Sequence, residues 1–281
     1  MKILDLFSGI GGISLGFLSA NFSEYDFSLK PNEQKTKNDG FFKTIAFCEI
    51  EPFCKKILAK NYPNTKIYDD VKTLPLDELR GGVDIITGGF PCQDLSVAGG
   101  QAGLKGERSG LFYEMLRIAR ELKPDYIFFE NVPQLLYKGE LFNEFDTKVR
   151  ESGYEYKAFI LSAKECAYLH ERKRAFIIAY PAGKRLLVSS AFWKQVGVKS
   201  IREQKTEEII NFALNLHKDF KKAPERTRAF SDTYTKVRTN DGLSAELDRI
   251  KALGNAVVPE VVSIFARAIK ENERLKEVKM T

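Results

Sequence analysis

The sequence predicts an α/β protein with a doubly wound, mostly parallel sheet and a second, smaller lobe. Three observations support this fold class. Short apolar runs alternate with amphipathic stretches over the first two thirds of the chain, which is typical of strand–helix units. The first apolar run ends in a glycine-rich turn followed by a helix-forming stretch. After Gly183 the alternation fades and the chain becomes basic.

Six apolar runs are each the length of a buried strand, and a seventh strand is predicted to end near Asp70. These runs are Lys2–Phe7, Thr44–Cys48, Val83–Thr87, Tyr126–Phe129, Tyr156–Leu161 and Arg174–Ala179. The first predicted helix follows the glycine turn, and the last is a charged helix that extends through Lys279. Three further helices are predicted between them: Pro52–Asn61, Gly110–Leu122 and Phe142–Glu151.

Length and composition are those of an ordinary globular protein: 281 residues, 43% hydrophobic, with a net charge of +6. Such a chain can form one large domain or two, since single cores stop growing at roughly 250–300 residues. We expect a main domain over residues 1–182, a small basic domain over 183–243, and a segment over 244–281 that returns to the main domain. Monomer is the default expectation.

Several classes of protein are disfavoured. No stretch approaches the roughly 20 apolar residues of a membrane span, and the N-terminus lacks the pattern of a signal peptide, so a cytoplasmic protein is expected. The four cysteines form no CxxC pair and only two histidines accompany them, so neither a disulfide framework nor a metal site is expected. The cysteines are Cys48, Cys54, Cys92 and Cys166.

The glycine turn Ser8-Gly9-Ile10-Gly11-Gly12 lies between a predicted strand and a helix, where a backbone approaches a bound nucleotide. It departs from the G-x-G-x-x-G fingerprint because Gly12 directly follows Gly11. An NAD-type dehydrogenase, which would need this fingerprint, is therefore disfavoured.

Two acids follow the next strands. Glu49 ends the second strand, where doubly wound folds place a carboxylate that accepts hydrogen bonds from a ribose. Alternatively, Glu49 is an acid at the start of a helix. Glu51 is a second candidate for accepting hydrogen bonds from the ribose. Asp70 could accept a hydrogen bond from the exocyclic amine of a base. Each acid taken singly is equally compatible with a structural role.

Cys92 follows the strand at Val83–Thr87, on a loop rich in glycine and fixed by Pro91. A lone cysteine is usually a small buried apolar residue. This one lies beyond the carboxyl end of a strand, where open α/β sheets hold their active sites, so we interpret it as a nucleophile. Its thiolate would need nearby positive charge.

Two further strands deliver charged side chains. Glu130 ends an aromatic strand, whose burial is expected to raise the pKa of this carboxyl and prepare it to donate a proton; the alternative is a helix cap by Glu130 or Asn131. Arg172 and Arg174 are two residues apart and so face one side of an extended strand. Two guanidinium groups beside a thiol would suit a phosphate or an anionic intermediate.

The basic segment 181–240 holds thirteen Lys or Arg against six Asp or Glu, a balance of +7 that leaves −1 for the rest of the chain. A positive segment beside a near-neutral body indicates a polyanion as partner. The alternative is a solvated, lysine-rich face.

The ordered set of motifs resembles the DNA cytosine-5 methyltransferases over residues 3–265. The motifs are Phe7-Ser8-Gly9-Ile10-Gly11-Gly12, Gly89-Phe90-Pro91-Cys92-Gln93, Glu130-Asn131-Val132, Arg172-x-Arg174 and Leu253-Gly254-Asn255-Ala256-Val257-Val258-Pro259. The resemblance implies a Rossmann-like, S-adenosylmethionine-dependent fold with a catalytic and cofactor-binding domain and a target-recognition lobe. It also implies S-adenosylmethionine as cofactor, with these residues at its site: Phe7, Gly9, Gly11, Glu49, Asp70 and Asn255.

By the same resemblance, Cys92 is the nucleophile that adds to C6 of a flipped cytosine and Glu130 is the acid at the ring. Arg172 would orient the base and Arg174 would assist the thiol or a phosphate, while a loop containing Gln93 and Ser96 would close over the nucleotide. The implied substrate is double-stranded DNA, with a restriction endonuclease as partner or with the enzyme acting alone.

One motif departs from the family pattern. Many members have Gly-x-Pro-Gln before the first of the two arginines, and this chain has Ala167-Tyr168-Leu169-His170 there, which puts the local loop shape in doubt. Two alternative functions stay open, namely a tRNA cytosine-5 methyltransferase and an inactive DNA-binding homologue.

Overall fold

The computed structural model describes residues 1–25, 34, 36–91, 110–137, 139–162, 173–187 and 257–280. Seven strands in these residues form one sheet in the order β3-β2-β1-β4-β5-β7-β6. The strands are β1 (Lys2–Leu6), β2 (Lys43–Cys48), β3 (Lys66–Tyr68), β4 (Ile85–Gly88), β5 (Tyr126–Asn131), β6 (Tyr154–Ser162) and β7 (Lys173–Pro181).

The direction of the strands confirms a mostly parallel sheet. Neighbouring strands from β3 through β5 pair in parallel, whereas β7 pairs antiparallel with both β5 and β6. Strand β7 therefore inserts between two strands that precede it in sequence. This insertion places the first residues of β7 beside the carboxyl end of β5, since Asn131 is opposite Ala175.

The described residues contain five α-helices, and apolar clusters on the two faces of the sheet include residues from four of them. The five helices are α1 (Gly12–Ser19), α2 (Pro52–Asn61), α3 (Leu111–Leu122), α4 (Glu140–Glu151) and α5 (Pro259–Met280). One apolar cluster contains Phe112 of α3 and Phe145 of α4, and the other contains Phe17 of α1 and Phe265 of α5. Two buried faces explain why β5 is buried along its whole length and apolar from Tyr126 to Phe129, because a sheet covered on both sides has no solvent face.

The C-terminal helix α5 packs closely against α1. A Cβ atom added to Gly16 would lie 2.5 Å from Cβ of Val262, so only glycine permits this approach. Beyond the end of α1, Lys270 Nζ donates to the carbonyl of Ala20 at 2.9 Å. Cations at a helix C-terminus interact favourably with its unpaired carbonyl groups.

The sequence-based boundaries need one correction and leave one prediction untested. Strand β3 ends at Tyr68, so Asp70 does not end a strand and lies two residues beyond it. The predicted second lobe, residues 183–243, lies outside the described residues from residue 188 onward, as does the domain boundary at residue 243, and both stay predictions. Within the described ranges, no helix combines the length and apolar character needed to cross a membrane.

Candidate active site

The glycine turn joins β1 to α1 at the carboxyl edge of the sheet. Phe7, Gly9 and Gly11 all have positive φ, at 53°, 53° and 86°. Glycine adopts such values without strain, whereas Phe7 does so at a cost that is typical of functional turns. A Cβ atom at Gly11 would lie 3.0 Å from the side chains of Leu58 and Tyr62, so this position excludes a larger residue by space as well as by φ.

Glu49 supports this turn directly. Its Oε2 accepts from the backbone N–H of Gly9 at 2.6 Å, and its Oε1 accepts from the N–H of Glu51 at 2.8 Å. The carboxylate is nearly buried. Each carboxylate oxygen keeps a second lone pair, so Glu49 can both hold the turn and accept from a ligand hydroxyl.

Asp70 lies beyond the neighbouring strand and caps a short 3₁₀ turn, Val71–Thr73. Its Oδ1 accepts from the N–H of Lys72 at 2.9 Å, while the structure gives Oδ2 no partner among the described residues. The side chain is half-buried. Asp70 thus caps the 3₁₀ turn with Oδ1 and can still accept a hydrogen bond with Oδ2.

Ile50 is an exposed apolar residue at the same edge, and the sequence reasoning did not single it out. It lies between the acids Glu49 and Glu51 and is 65% exposed. An apolar residue directly after a strand and between two acids was the available signal. Its side chain places an exposed apolar surface next to the buried carboxylate of Glu49.

Glu130 and Arg174 form an ion pair where β5 and β7 meet. Arg174 Nε lies 3.1 Å from Glu130 Oε1, with side-chain exposures of 22% and 11%. The guanidinium also donates from Nη1 to the carbonyl of Lys173 at 2.7 Å. The raised pKa expected for Glu130 from the sequence stays a prediction. The structure thus places Arg174 against the acid.

The chain leading to Cys92 is fixed against the same strand. A Cβ atom at Gly89 would lie 2.9 Å from Glu130 Oε2. Asn131 Nδ2 donates to the carbonyl of Phe90 at 3.1 Å, and Asn131 Oδ1 accepts from the N–H of Val132. Asn131 therefore fixes the residues before Cys92, and Gly89 lies close to the carboxylate of Glu130.

Asp5 is a further polar residue, within the predicted strand Lys2–Phe7, to which the sequence analysis assigned no role. It is fully buried on β1, and this burial raises the pKa of its carboxyl to about 7, although hydrogen bonds from Ser14 and Thr87 oppose the shift. An acid inside an apolar strand was the signal. Its partners could not be read from the sequence because they lie on two other elements.

Several predicted site residues lie outside the described residues, so their roles stay predictions: Cys92, Gln93, Ser96, Arg172 and Asn255. The departure at Ala167–His170 is also outside them. Of the described cysteines, Cys48 is unsuited to nucleophilic chemistry, because burial raises the pKa of its thiol to about 12. In the described part of the chain, no group of three or more His, Cys, Asp or Glu side chains could hold a metal ion.

Comparisons with known proteins agree on one family. A family model described as C-5 cytosine-specific DNA methylase matches residues 1–241. Type II methyltransferase M2.BsuMI of Bacillus subtilis is 33% identical over 186 residues, which are 63% of this chain and 41% of that protein. Type II methyltransferase M.Bsp6I of a Bacillus species is 30% identical over 184 residues, covering 64% and 52%. The chain spans about half the length of these relatives.

The fold is also found in solved structures. The Entamoeba histolytica methyltransferase EhMeth superposes with a TM-score of 0.58 at 15% identity, covering 97% of this chain and 98% of that one. This likeness concerns the arrangement of the sheet and helices, and it supports the Rossmann-like methyltransferase fold.

Proposed function

The chain belongs to the C-5 cytosine-specific DNA methylase family, and from this premise we propose that it methylates C5 of a cytosine within a specific sequence of double-stranded DNA. The observation that carries the proposal is the arrangement around Glu130. This acid is paired with Arg174 and lies against Gly89, three residues before Cys92. A nucleophile and an acid are thus attached to the carboxyl ends of adjacent strands.

The family uses S-adenosylmethionine as its methyl donor, and the described residues fit this cofactor. A Cβ atom at Gly9 would meet nothing within 4 Å, so the turn leaves open space above its backbone. Glu49 can accept from ribose hydroxyls, Asp70 can accept from the exocyclic amine, and Ile50 offers an apolar surface to the adenine ring. When bound, the cofactor supplies an electrophilic methyl group on a sulfonium.

In the proposed reaction, the Cys92 thiolate adds to C6 of cytosine while Glu130 hydrogen-bonds or protonates N3. This addition makes C5 enamine-like and therefore nucleophilic toward the sulfonium methyl group, whose S–C bond pair would stay on sulfur. A proton that N3 took from Glu130 returns to it as C5 is methylated. A base removes the C5 proton, and the electron pair of that C–H bond restores the C5–C6 double bond as the thiolate leaves. Arg174 keeps Glu130 oriented toward the ring, and Arg172 contributes a second cation.

The target atom is inaccessible inside a duplex, so the proposal includes extrusion of the cytosine from the helix. The basic segment 181–240 would bind the phosphate backbone, and residues 93–109, including Gln93 and Ser96, would cover the extruded base. The relatives named Type II methyltransferases support a role in restriction-modification, with a cognate endonuclease as partner. A monomer stays the prediction, because one strand is methylated at a time.

The test is expression in a host that lacks cytosine methylation, followed by mapping of 5-methylcytosine at single-base resolution. We expect one short sequence to be methylated throughout the genome. The matched control is Cys92→Ser, which should bind S-adenosylhomocysteine as the unchanged protein does and leave no mark. Methylation by this variant would contradict the mechanism. If 5-methylcytosine appears in tRNA and not in DNA, the substrate is tRNA rather than DNA.

A further inference from the structure

The buried carboxyl group of Asp5 contacts side chains from two other elements. Thr87 Oγ1 on β4 donates to Asp5 Oδ1 at 2.8 Å, and Ser14 Oγ on α1 donates to Oδ2 at 2.6 Å. Thr44 Oγ1 on β2 extends the network by donating to Ser14 Oγ at 3.0 Å. Asp5 and Thr87 are fully buried. Three strands and one helix are therefore connected through one carboxyl group.

We propose that Asp5 is a positioning residue that couples the glycine turn to the strand leading to Cys92. The inference rests on the proposed function, because that function gives the two segments different tasks: the turn faces the cofactor, and the end of β4 carries the nucleophile.

The β4 side of this coupling passes through Thr87. Thr87 is directly opposite Asp5 in the register of β1 and β4, so its hydroxyl reaches the carboxylate without distorting either strand. Two residues later, Gly89 lies against the carboxylate of Glu130. A hydrogen bond at Thr87 therefore fixes the end of β4 just before the chain meets the catalytic acid.

The α1 side passes through Ser14 and Ser8, which flank the glycine turn. Ser14 lies in the first turn of α1 and donates to the side chain of Asp5, while Ser8 Oγ donates to the backbone carbonyl of Asp5 at 2.6 Å. Both ends of the turn are thus tied to one residue of β1. Movement of Asp5 would shift the turn and the end of β4 together.

The chemistry of the residue supports positioning over simple stability. Burial of a carboxyl group carries a desolvation cost that an apolar side chain would avoid. Hydrogen-bonded polar groups, unlike apolar contacts, hold their partners in one geometry because they are directional. A carboxyl group at this point therefore lowers the stability of the fold but holds the glycine turn and the end of β4 in one arrangement.

The test compares Thr87→Val, which removes the hydroxyl, with Thr87→Ser, which retains it. Ile85→Val is the matched control, since it shortens a buried side chain of the same strand without touching the network. S-Adenosylhomocysteine is the binding probe, measured by calorimetry, and methyl transfer is measured at saturating cofactor and DNA. We expect Thr87→Val to weaken binding of the probe roughly fivefold and to lower kcat roughly 10- to 100-fold. Thr87→Ser should restore both, and Ile85→Val should change neither.

A second readout needs neither ligand nor activity. Hydrogen exchange in Thr87→Val should become faster at the amides of residues 9–13 as well as 88–90, whereas Ile85→Val should leave residues 9–13 unchanged. Unchanged exchange at residues 9–13 in Thr87→Val, or equal acceleration in Ile85→Val, would overturn the inference. If the protein without substitutions neither binds S-adenosylhomocysteine nor methylates nucleic acid, the proposed function is contradicted. The hydrogen-exchange data would still decide the role of Asp5.

Discussion

Arg174 Nε lies 3.1 Å from Glu130 Oε1 across the antiparallel junction of β5 and β7. The pair is largely shielded from solvent, so its attraction is screened less than that of a surface ion pair. The proposed acid is therefore oriented by a cation from a strand that comes more than forty residues later in the sequence.

Replacing Arg174 with Ala should lower kcat for methyl transfer by about 10²-fold, because Glu130 loses the group that orients it. Binding of S-adenosylhomocysteine should stay unchanged, since the described residues proposed to hold the cofactor follow β1, β2 and β3 rather than β5 or β7. Single-turnover kinetics and calorimetry provide the two measurements. Arg80→Ala is the charge-matched control, because Arg80 forms exposed pairs with Asp77 and Glu121. Full activity of Arg174→Ala would remove this arginine from the site.

Replacing Gly89 with Ala should displace the Glu130 carboxylate, because the added Cβ would lie 2.9 Å from Oε2. We expect methyl transfer to fall by roughly 10- to 100-fold, consistent with the cost of a small misplacement of a reacting group. Gly82→Ala is the matched control, because its Cβ would make only an ordinary 3.5 Å contact with the carbonyl of Leu79. Equal activities of the two variants would show that Glu130 tolerates the displacement.

Replacing Glu49 with Gln should weaken binding of S-adenosylhomocysteine and destabilise the glycine turn. Glu49 accepts one backbone N–H on each carboxylate oxygen, whereas the amide group of Gln directs donors at one of them. We expect a loss of about 1–3 kcal/mol in the free energy of unfolding, measured by chemical denaturation. Glu51→Gln tests the competing acid and should have the smaller effect on binding. The reverse order would assign the ribose to Glu51.

Asp5 should make stability depend on pH. Burial raises its pKa from 3.8 to about 7, so the folded state holds the proton more tightly than the unfolded state does. The free energy of unfolding should therefore fall as the pH rises between these two values, by up to about 1.4 kcal/mol per pH unit from this group, and then level off. Asp5→Asn should remove this contribution. Chemical denaturation of both proteins between about pH 5 and about pH 8 measures this contribution as the difference between their free energies of unfolding, because the two proteins share every other titratable group. Parallel curves for the two proteins would contradict the raised pKa.

Much of the fold follows from local patterns in the sequence. The helix Pro52–Asn61 was predicted with the bounds that it has in the structure, and the strand predictions differ from the observed strands by two residues or fewer at each end. Apolar periodicity and proline or glycine punctuation are local signals, so they carry this information without knowledge of the neighbours. The glycine turn was located for the same reason, since positive φ is a property of single residues.

The site was predicted only in part. The sequence indicated that Glu49 and Glu130 lie at strand ends, but it did not indicate that Glu49 holds Gly9 or that Arg174 pairs with Glu130. The predicted position of Asp70 at a strand end was wrong, because β3 ends at Tyr68 and Asp70 caps the turn that follows.

The sequence by itself determined the elements, their order and the chemical groups at their ends. Tertiary structure decided which of these groups meet: β7 inserts between β5 and β6 and so brings Arg174 to Glu130, and the register of β1 with β4 brings Thr87 to Asp5. The physical reason is that strand order and register are set by packing of the whole sheet between its two helical layers. No local stretch of residues contains that information.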